Sequence, residues 1–262
     1  MSQLPSDVGK DPRAVPPMLA AHDLAVRFGG VTALDQISIA VPAGGLIGLI
    51  GPNGAGKTTT IDALTGFVAH RGRIELDGVA IDEYPAHERA RRGLVRTWQS
   101  LELFDDLTVR ENCEVAAVPQ RLSSFGRDVL RPGRSVDATA ADEAIELLGL
   151  HDVAGRHPTE LSLGRRKLVA VARAVAQRPR LLLLDEPAAG LDSTESLALG
   201  ERLRSVVDHG VAMLLVDHDM GLVLGVCDRV SVLDFGRMIA EGTPAEIRAN
   251  EGVIEAYLGA SA

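Results

Sequence analysis

The sequence predicts an α/β protein with a mainly parallel sheet, and three stretches carry that prediction. The apolar run Leu46–Ile50 passes into Gly51-Pro52-Asn53-Gly54-Ala55-Gly56-Lys57-Thr58 and then into the helical pattern of residues 59–64. That is a strand, a glycine-rich loop of the form G-x-x-x-x-G-K-[ST], and a helix. Residues 181–184 are four leucines ending in Asp185-Glu186-Pro187, as expected of a strand buried on both faces of a parallel sheet. From residue 164 to 233 strand and helix patterns alternate, the arrangement of parallel crossovers with helices on both faces.

The elements follow in order. Residues 1–17 hold four prolines and no apolar periodicity, so they are expected to form a disordered tail without signal-peptide character. Residues 19–26 and 37–41 read as strands, the second stopped by Pro42-Ala43-Gly44-Gly45. After the loop and its helix, which ends near Gly66, residues 73–76 form a strand entering a tight turn at Asp77-Gly78. Residues 85–92 suit a short helix with Pro85 at its start, and 94–96 another strand. Between about 101 and 160 strand signals give way to helical ones, best at 108–118 and 137–148, with a Gly- and Pro-containing linker at 123–134. This region is expected to be a helical insert. Helices at 164–177 and 195–209 then alternate with strands at 181–185, 211–217 and 230–233.

With 262 residues and 46% hydrophobic content the chain can bury a large core, built from aliphatic side chains because aromatics are only 3%. The net charge of −9 argues against a nucleic-acid partner, which would call for a basic face. No apolar run approaches the ~18 residues of a membrane span, so a membrane role is expected to be peripheral. Cys113 and Cys227 stand alone, without the spacing of a metal site or a disulfide framework.

The glycine-rich loop is a phosphate cradle: glycines let backbone N–H groups close around an anion, and the following helix turns its positive end toward it. Lys57 is placed to reach the β- and γ-phosphates of a nucleoside triphosphate, and Thr58 to hold Mg²⁺. Asp185 and Glu186 end a buried strand at the sheet edge where ligands collect; Asp185 suits a water-mediated Mg²⁺ contact and Glu186 a general base. His218 ends the next strand at the same edge, where imidazole can meet the γ-phosphate and orient water. Ser162 precedes the helix at 164–177 as an N-cap. With Gly164 it makes a second phosphate site, which is useful only if it serves another subunit's nucleotide.

These motifs, in this order, resemble the ATP-binding-cassette ATPases that drive ABC transporters, and the resemblance runs over residues 18–262. It implies a P-loop NTPase core, an N-terminal antiparallel β subdomain and a helical subdomain insert. Gly51 to Thr59 resembles the Walker A loop, Gln99 the Q-loop glutamine that contacts metal and γ-phosphate, residues 161–165 the signature sequence, and residues 181–186 Walker B. Ala189-Gly190-Leu191-Asp192 resembles the D-loop, His218 the switch histidine, and Phe28 the aromatic that stacks on adenine. The usual signature reads Leu-Ser-Gly-Gly-Gln; here Leu163 and Arg165 replace a glycine and the glutamine, while Ser162 and Gly164 remain. The implied partners are ATP with Mg²⁺, a second ATPase subunit, identical or paralogous, membrane permease subunits, and a solute-binding protein, all assembled on the inner face of the cell membrane.

Val26-Arg27-Phe28-Gly29-Gly30, Leu64-Thr65-Gly66-Phe67, Val95-Arg96-Thr97-Trp98-Gln99 and Ala256-Tyr257-Leu258-Gly259 resemble the subfamily of branched-chain amino-acid uptake. Related members carry urea and short amides or export lipopolysaccharide. A soluble ABC protein of DNA repair or translation would carry long coiled coils or tandem cassettes, and this chain shows neither.

Overall fold

In the computed structural model, which describes residues 17–117 and 138–259, the chain opens as a long hairpin. Strands β1 (Pro17–Phe28) and β2 (Val31–Pro42) are joined by Gly29-Gly30. β2 begins well before the stretch read as a strand: Val31, Thr32 and Leu34 pair with β1, and a register shift between Leu34 and Ile37 interrupts the apolar alternation, with the Asp35 N–H donating to the Gly236 carbonyl instead. β3 (Leu46–Ile50) leads through the glycine loop into α1 (Lys57–Thr65). β4 (Arg71–Leu76) and β5 (Val79–Ala80) flank Asp77 and Gly78, both at positive φ, which is the tight turn expected there. These strands form an antiparallel sheet in the order β2-β1-β4-β5.

The short helix α2 (Ala86–Arg91) leads to β6 (Leu94–Arg96). Then come α3 (Val109–Ala116) and, past the undescribed residues, α4 (Ala138–Leu147). Both pack on α5 (Leu163–Val175). Thr108 starts α3 with a capping box to Glu111, satisfying two N-terminal donors reciprocally. Pro17, the last residue of the expected tail, is paired with Pro42 as the start of β1; the rest of that tail and the linker at 123–134 lie outside the described residues.

β7 (Leu181–Asp185), α6 (Ser193–Asp208), β8 (Ala212–Val216), α7 (Met220–Val226) and β9 (Arg229–Asp234) complete the alternation. β10 (Arg237–Gly242), α8 (Pro244–Arg248) and α9 (Glu251–Gly259) follow. The central sheet runs β10-β9-β3-β8-β7-β6 and is parallel except for the β10-β9 hairpin.

Side-chain alternation divides the core between the two faces of this sheet. Leu46, Ile50, Leu182, Leu184, Met213 and Leu215 face the layer containing α3 to α7. Ile47, Leu49, Leu181, Leu183, Leu214 and Val216 face α1 and the antiparallel sheet. The second face is therefore covered largely by strands, where helices were expected on both. The β1-β2 hairpin has one apolar face of its own, including Leu19, Leu24, Ile37 and Ile39, and burying each such side chain is worth about 1.5–3 kcal/mol.

One buried cation fixes α1 from behind. Arg89 of α2 is 2% exposed, and its Nη1 donates to the carbonyls of Ala63 and Leu64 at 2.9 and 2.7 Å. Its Nε and Nη2 donate to the carbonyls of Tyr84 and Asp82. Burial lowers its pKa, partly offset by Asp82. The guanidinium thus satisfies carbonyls at the negative end of α1, which supplies no basic residue in its own last turn.

Candidate active site

The loop between β3 and α1 is shaped by two glycines, Gly51 and Gly56, that no other residue can replace without displacement. A Cβ on Gly51 would lie 2.2 Å from the Leu233 carbonyl oxygen. Gly56 has φ +106, and its Cβ would meet Leu34 and the Ala33 carbonyl at 2.8 and 2.9 Å. Gly56 is also the N-cap of α1 and offers no capping side chain, so the first N–H groups of the helix are left for a ligand. Asn53, Gly54, Gly56, Lys57, Thr58 and Thr59 line a cleft with Ala33 and Glu186. Pro52 and Ala55 are loop framework: the Ala55 N–H donates to the Pro52 carbonyl at 3.1 Å.

Lys57 is 6% exposed, and its ammonium donates to the carbonyls of Gly51 and Pro52 at 2.8 and 3.0 Å. Burial pulls its pKa down, while Glu186, Asp185 and Asp217 oppose the shift. The lysine is thus the cation of an acidic neighbourhood, bound to its own loop.

Asp185 ends β7, 4% exposed, with its Oδ2 accepting from Arg96 Nη2 at 2.7 Å. Glu186 sits in the left-handed region at φ +49, a strained conformation for a non-glycine residue. Its N–H donates to the Val216 carbonyl at 2.7 Å, and its carbonyl accepts from Lys167 Nζ at 3.4 Å. Gln99 Nε2 donates to Glu186 Oε2 at 2.7 Å, and His218 Nδ1 lies 3.7 Å from the same oxygen. His218 Nδ1 also lies 3.5 Å from Asp217 Oδ1. Fully buried Asp217 accepts from the N–H groups of Ala188 and Asp219. Gln99, Asp185, Glu186 and His218 therefore meet at the carboxyl ends of the strands beside the phosphate loop.

The remaining expected positions do not join this cluster. Phe28 is 52% exposed at the end of β1. Ser162 caps α5, accepting from Arg165 N–H at 3.4 Å, and a Cβ on Gly164 would approach Glu195 Oε1 at 3.1 Å. Asp192 caps α6, accepting from the N–H groups of Thr194 and Glu195 at 2.8 Å. None of these four lines the cleft. Arg165, at the altered signature position, pairs through both Asp152 oxygens at 2.8 and 2.7 Å.

Among the described residues, no cluster of three or more His, Cys, Asp and Glu could hold a metal ion. A cation here would need phosphate oxygens and water to complete its shell, which suits Mg²⁺ with Thr58 and Asp185. Sequence reading missed Arg96, Lys167 and Asp217. Lys167 could have been noticed as one of only three lysines in the chain; the residue is 6% exposed, and burial lowers its pKa against the opposing pull of Asp217 and Glu186.

The family model described as ABC transporter matches residues 34–189, and one described as branched-chain amino acid ATP-binding cassette transporter matches residues 237–262. The chain is 40% identical over 250 residues to the high-affinity branched-chain amino acid transport ATP-binding protein LivG of Salmonella typhimurium, covering 93% of this chain and 98% of that one. It is 40% identical to BraF of Pseudomonas aeruginosa, at the same coverages, and 36% identical to the lipopolysaccharide export system ATP-binding protein LptB of Escherichia coli, covering 92% and 97%. A crystal structure of the ADP conformation of an ATP-binding cassette superposes with a TM-score of 0.82 at 29% identity, covering 94% of this chain and 100% of that chain. Likeness of this extent on a fold that brings loop, strand ends and switch residues together shows that the chain belongs to the ABC transporter family, as one of its ATP-hydrolysing cassettes.

Proposed function

We propose that this chain is the motor subunit of an importer of branched-chain amino acids or a related small polar solute. The observation that carries the catalytic part is the convergence of Gln99 and His218 on Glu186 at the mouth of the Lys57 cleft. Lys57, the loop N–H groups and the open end of α1 hold the triphosphate. Thr58 and Asp185 with Gln99 would hold Mg²⁺, which would neutralise the developing phosphate charge. Glu186 takes the proton of the attacking water, His218 donates to the γ-phosphate, and Phe28 stacks on the base. Gln99 donates to one Glu186 oxygen at 2.7 Å, so breaking this bond frees the carboxylate to act as the base.

Ser162, Gly164 and Asp192 serve the nucleotide of a second ATPase subunit, and the helices of the 101–160 insert dock permease subunits. No helix among the described residues is long and apolar enough to cross a membrane, which fits a peripheral place on the inner membrane face beside those subunits, with a solute-binding protein outside. The names of LivG and BraF and the family model over residues 237–262 support branched-chain amino acids as cargo. Purification of the Glu186→Gln chain with its permease, followed by leucine, urea and amide uptake assays with the wild-type complex, tests the reading. Leucine uptake driven by ATP supports it; ATP-driven uptake of urea or amides alone would reassign the cargo.

A further inference from the structure

Three residues apart on one segment, Arg96 and Gln99 hold two adjacent acids, Asp185 and Glu186. Arg96 does more than neutralise one of them. Its Nη1 donates to Asp62 Oδ1 of α1 at 2.5 Å while Nη2 donates to Asp185 Oδ2. The Arg96 side chain is 6% exposed, Asp185 5% and Asp62 28%. The guanidinium lies 4.3 Å from the ring centre of Trp98, which meets Phe67 edge-on at 5.2 Å. Backbone pairing fixes the same stretch, with Arg96 opposite Leu183 and the Thr97 N–H donating to the Leu183 carbonyl at 2.9 Å. One planar cation therefore ties the helix behind the phosphate loop to the end of β7, a bridge a flexible ammonium would not hold in one geometry.

A buried ion pair alone is weak evidence of a functional role. Here the pairing is one-sided: Asp185 Oδ2 is taken by Arg96, and among the described residues no donor reaches Oδ1. The acid is held by one oxygen with the other left over, in an orientation set jointly by α1 and β6.

We propose that Arg96 is a positioning residue that aims Asp185 at the cation of bound nucleotide and, through Asp62, keeps this acid in register with the phosphate loop. The inference rests on the reading of Asp185 as a Mg²⁺-facing acid. It predicts that losing Arg96 weakens the metal's contribution to nucleotide binding and leaves the metal-free contacts unchanged.

The test is calorimetric binding of the non-hydrolysable analogue AMP-PNP to the full chain, in Mg²⁺ and in EDTA. For R96A the Kd in Mg²⁺ should rise about ten-fold, while the Kd in EDTA stays within about two-fold of wild type. D62N, which loosens the anchor on a half-exposed carboxylate, should raise the Kd in Mg²⁺ by about three-fold, and R96K should lie between wild type and R96A. An unchanged ratio of the two constants in R96A would make the bridge purely structural, and tighter binding in Mg²⁺ would make Arg96 a competitor of the cation; either overturns the proposal. Should R96A fail to fold, wild-type ratios in both D62N and R96K would overturn it equally. A wild-type chain whose binding ignores Mg²⁺ would instead overturn the functional reading on which the inference stands.

Discussion

Two helices of this molecule begin where a phosphate is expected, and their N-termini are built in opposite ways. α1 starts at Gly56 with no capping side chain, at the end of a loop exposed at Asn53 and Gly54, beside Lys57, a residue 6% exposed. Its far end is closed by Arg89, borrowed from α2. α5 starts at Ser162, whose hydroxyl is spent on Arg165 N–H, and its first turn is exposed or half-exposed. The first end leaves its donors for a ligand, whereas the second satisfies one of its own. An uncapped cradle and a self-capped end in the same chain fit the proposed reading, in which nucleotide is first held at the loop and the Ser162 end would act only when a partner brings a nucleotide to it.

The largest expected effect tests the loop end. Glu186→Gln should cut hydrolysis by about 10²- to 10⁴-fold while ATP affinity stays within about two-fold. A phosphate-release assay showing near-normal turnover would remove Glu186 as the base.

Lys57→Ala and Ser162→Ala should then separate the two ends. We expect the Kd of the isolated chain for ATP to rise by about 100-fold in the first, and to stay within about two-fold in the second, whose turnover falls by about ten-fold. Equal losses of affinity would erase the distinction between a complete and an incomplete site.

Glycine replacements sharpen it further. Gly56→Ala places a Cβ at positive φ against backbone and Leu34, and should cost about 2–4 kcal/mol in chemical denaturation. Gly164→Ala meets only the movable end of Glu195 and should stay within about 1 kcal/mol. Comparable losses would mean that the Ser162 end is as tightly specified as the loop.

The smallest effect is read at the thiols. Burial pushes Cys113 up to about 12 and Cys227 higher still, so near pH 8 both remain protonated and shielded. Both lie in the layer of α3 to α7, Cys113 within α3 and Cys227 at the end of α7 below β3, where a Cβ on Gly48 would approach its sulfur at 3.1 Å. ATP should slow disulfide-reagent labelling of Cys227 a few-fold more than that of Cys113. Equal protection would show that nucleotide stabilises both ends of this layer alike.

The sequence made legible what is local. Residues 46–58 carry strand, loop and helix in one uninterrupted stretch, and the leucines before Asp185 announce a doubly buried strand. The long-range ties stayed hidden because nothing near Arg96 in the chain says that its partners are Asp62 and Asp185, 34 and 89 residues apart from it. The same holds for Lys167 and the Glu186 carbonyl. The second strand of the C-terminal hairpin and the helices after it were missed for another reason. α8 has a local marker, Thr243 boxed with Glu246 and Pro244 at its first position, but its single turn is too short for apolar periodicity to register. Asp192 illustrates the converse: its place in the D-loop pattern was evident, while its capping of α6 depends on an ordinary local rule.

The same burial of Lys57 and Lys167 has a practical side. Only three of the chain's 27 basic side chains are lysines, and two of them sit 6% exposed against the acids of the site. The third, Lys10, lies outside the described residues. An acylating reagent therefore meets few competing amines, and the two inner ones are shielded by burial and by their bonds to backbone carbonyls. Mass-spectrometric counting of acetyl groups on their peptides turns this scarcity into a gauge of occupancy, one that a lysine-rich surface would drown in background.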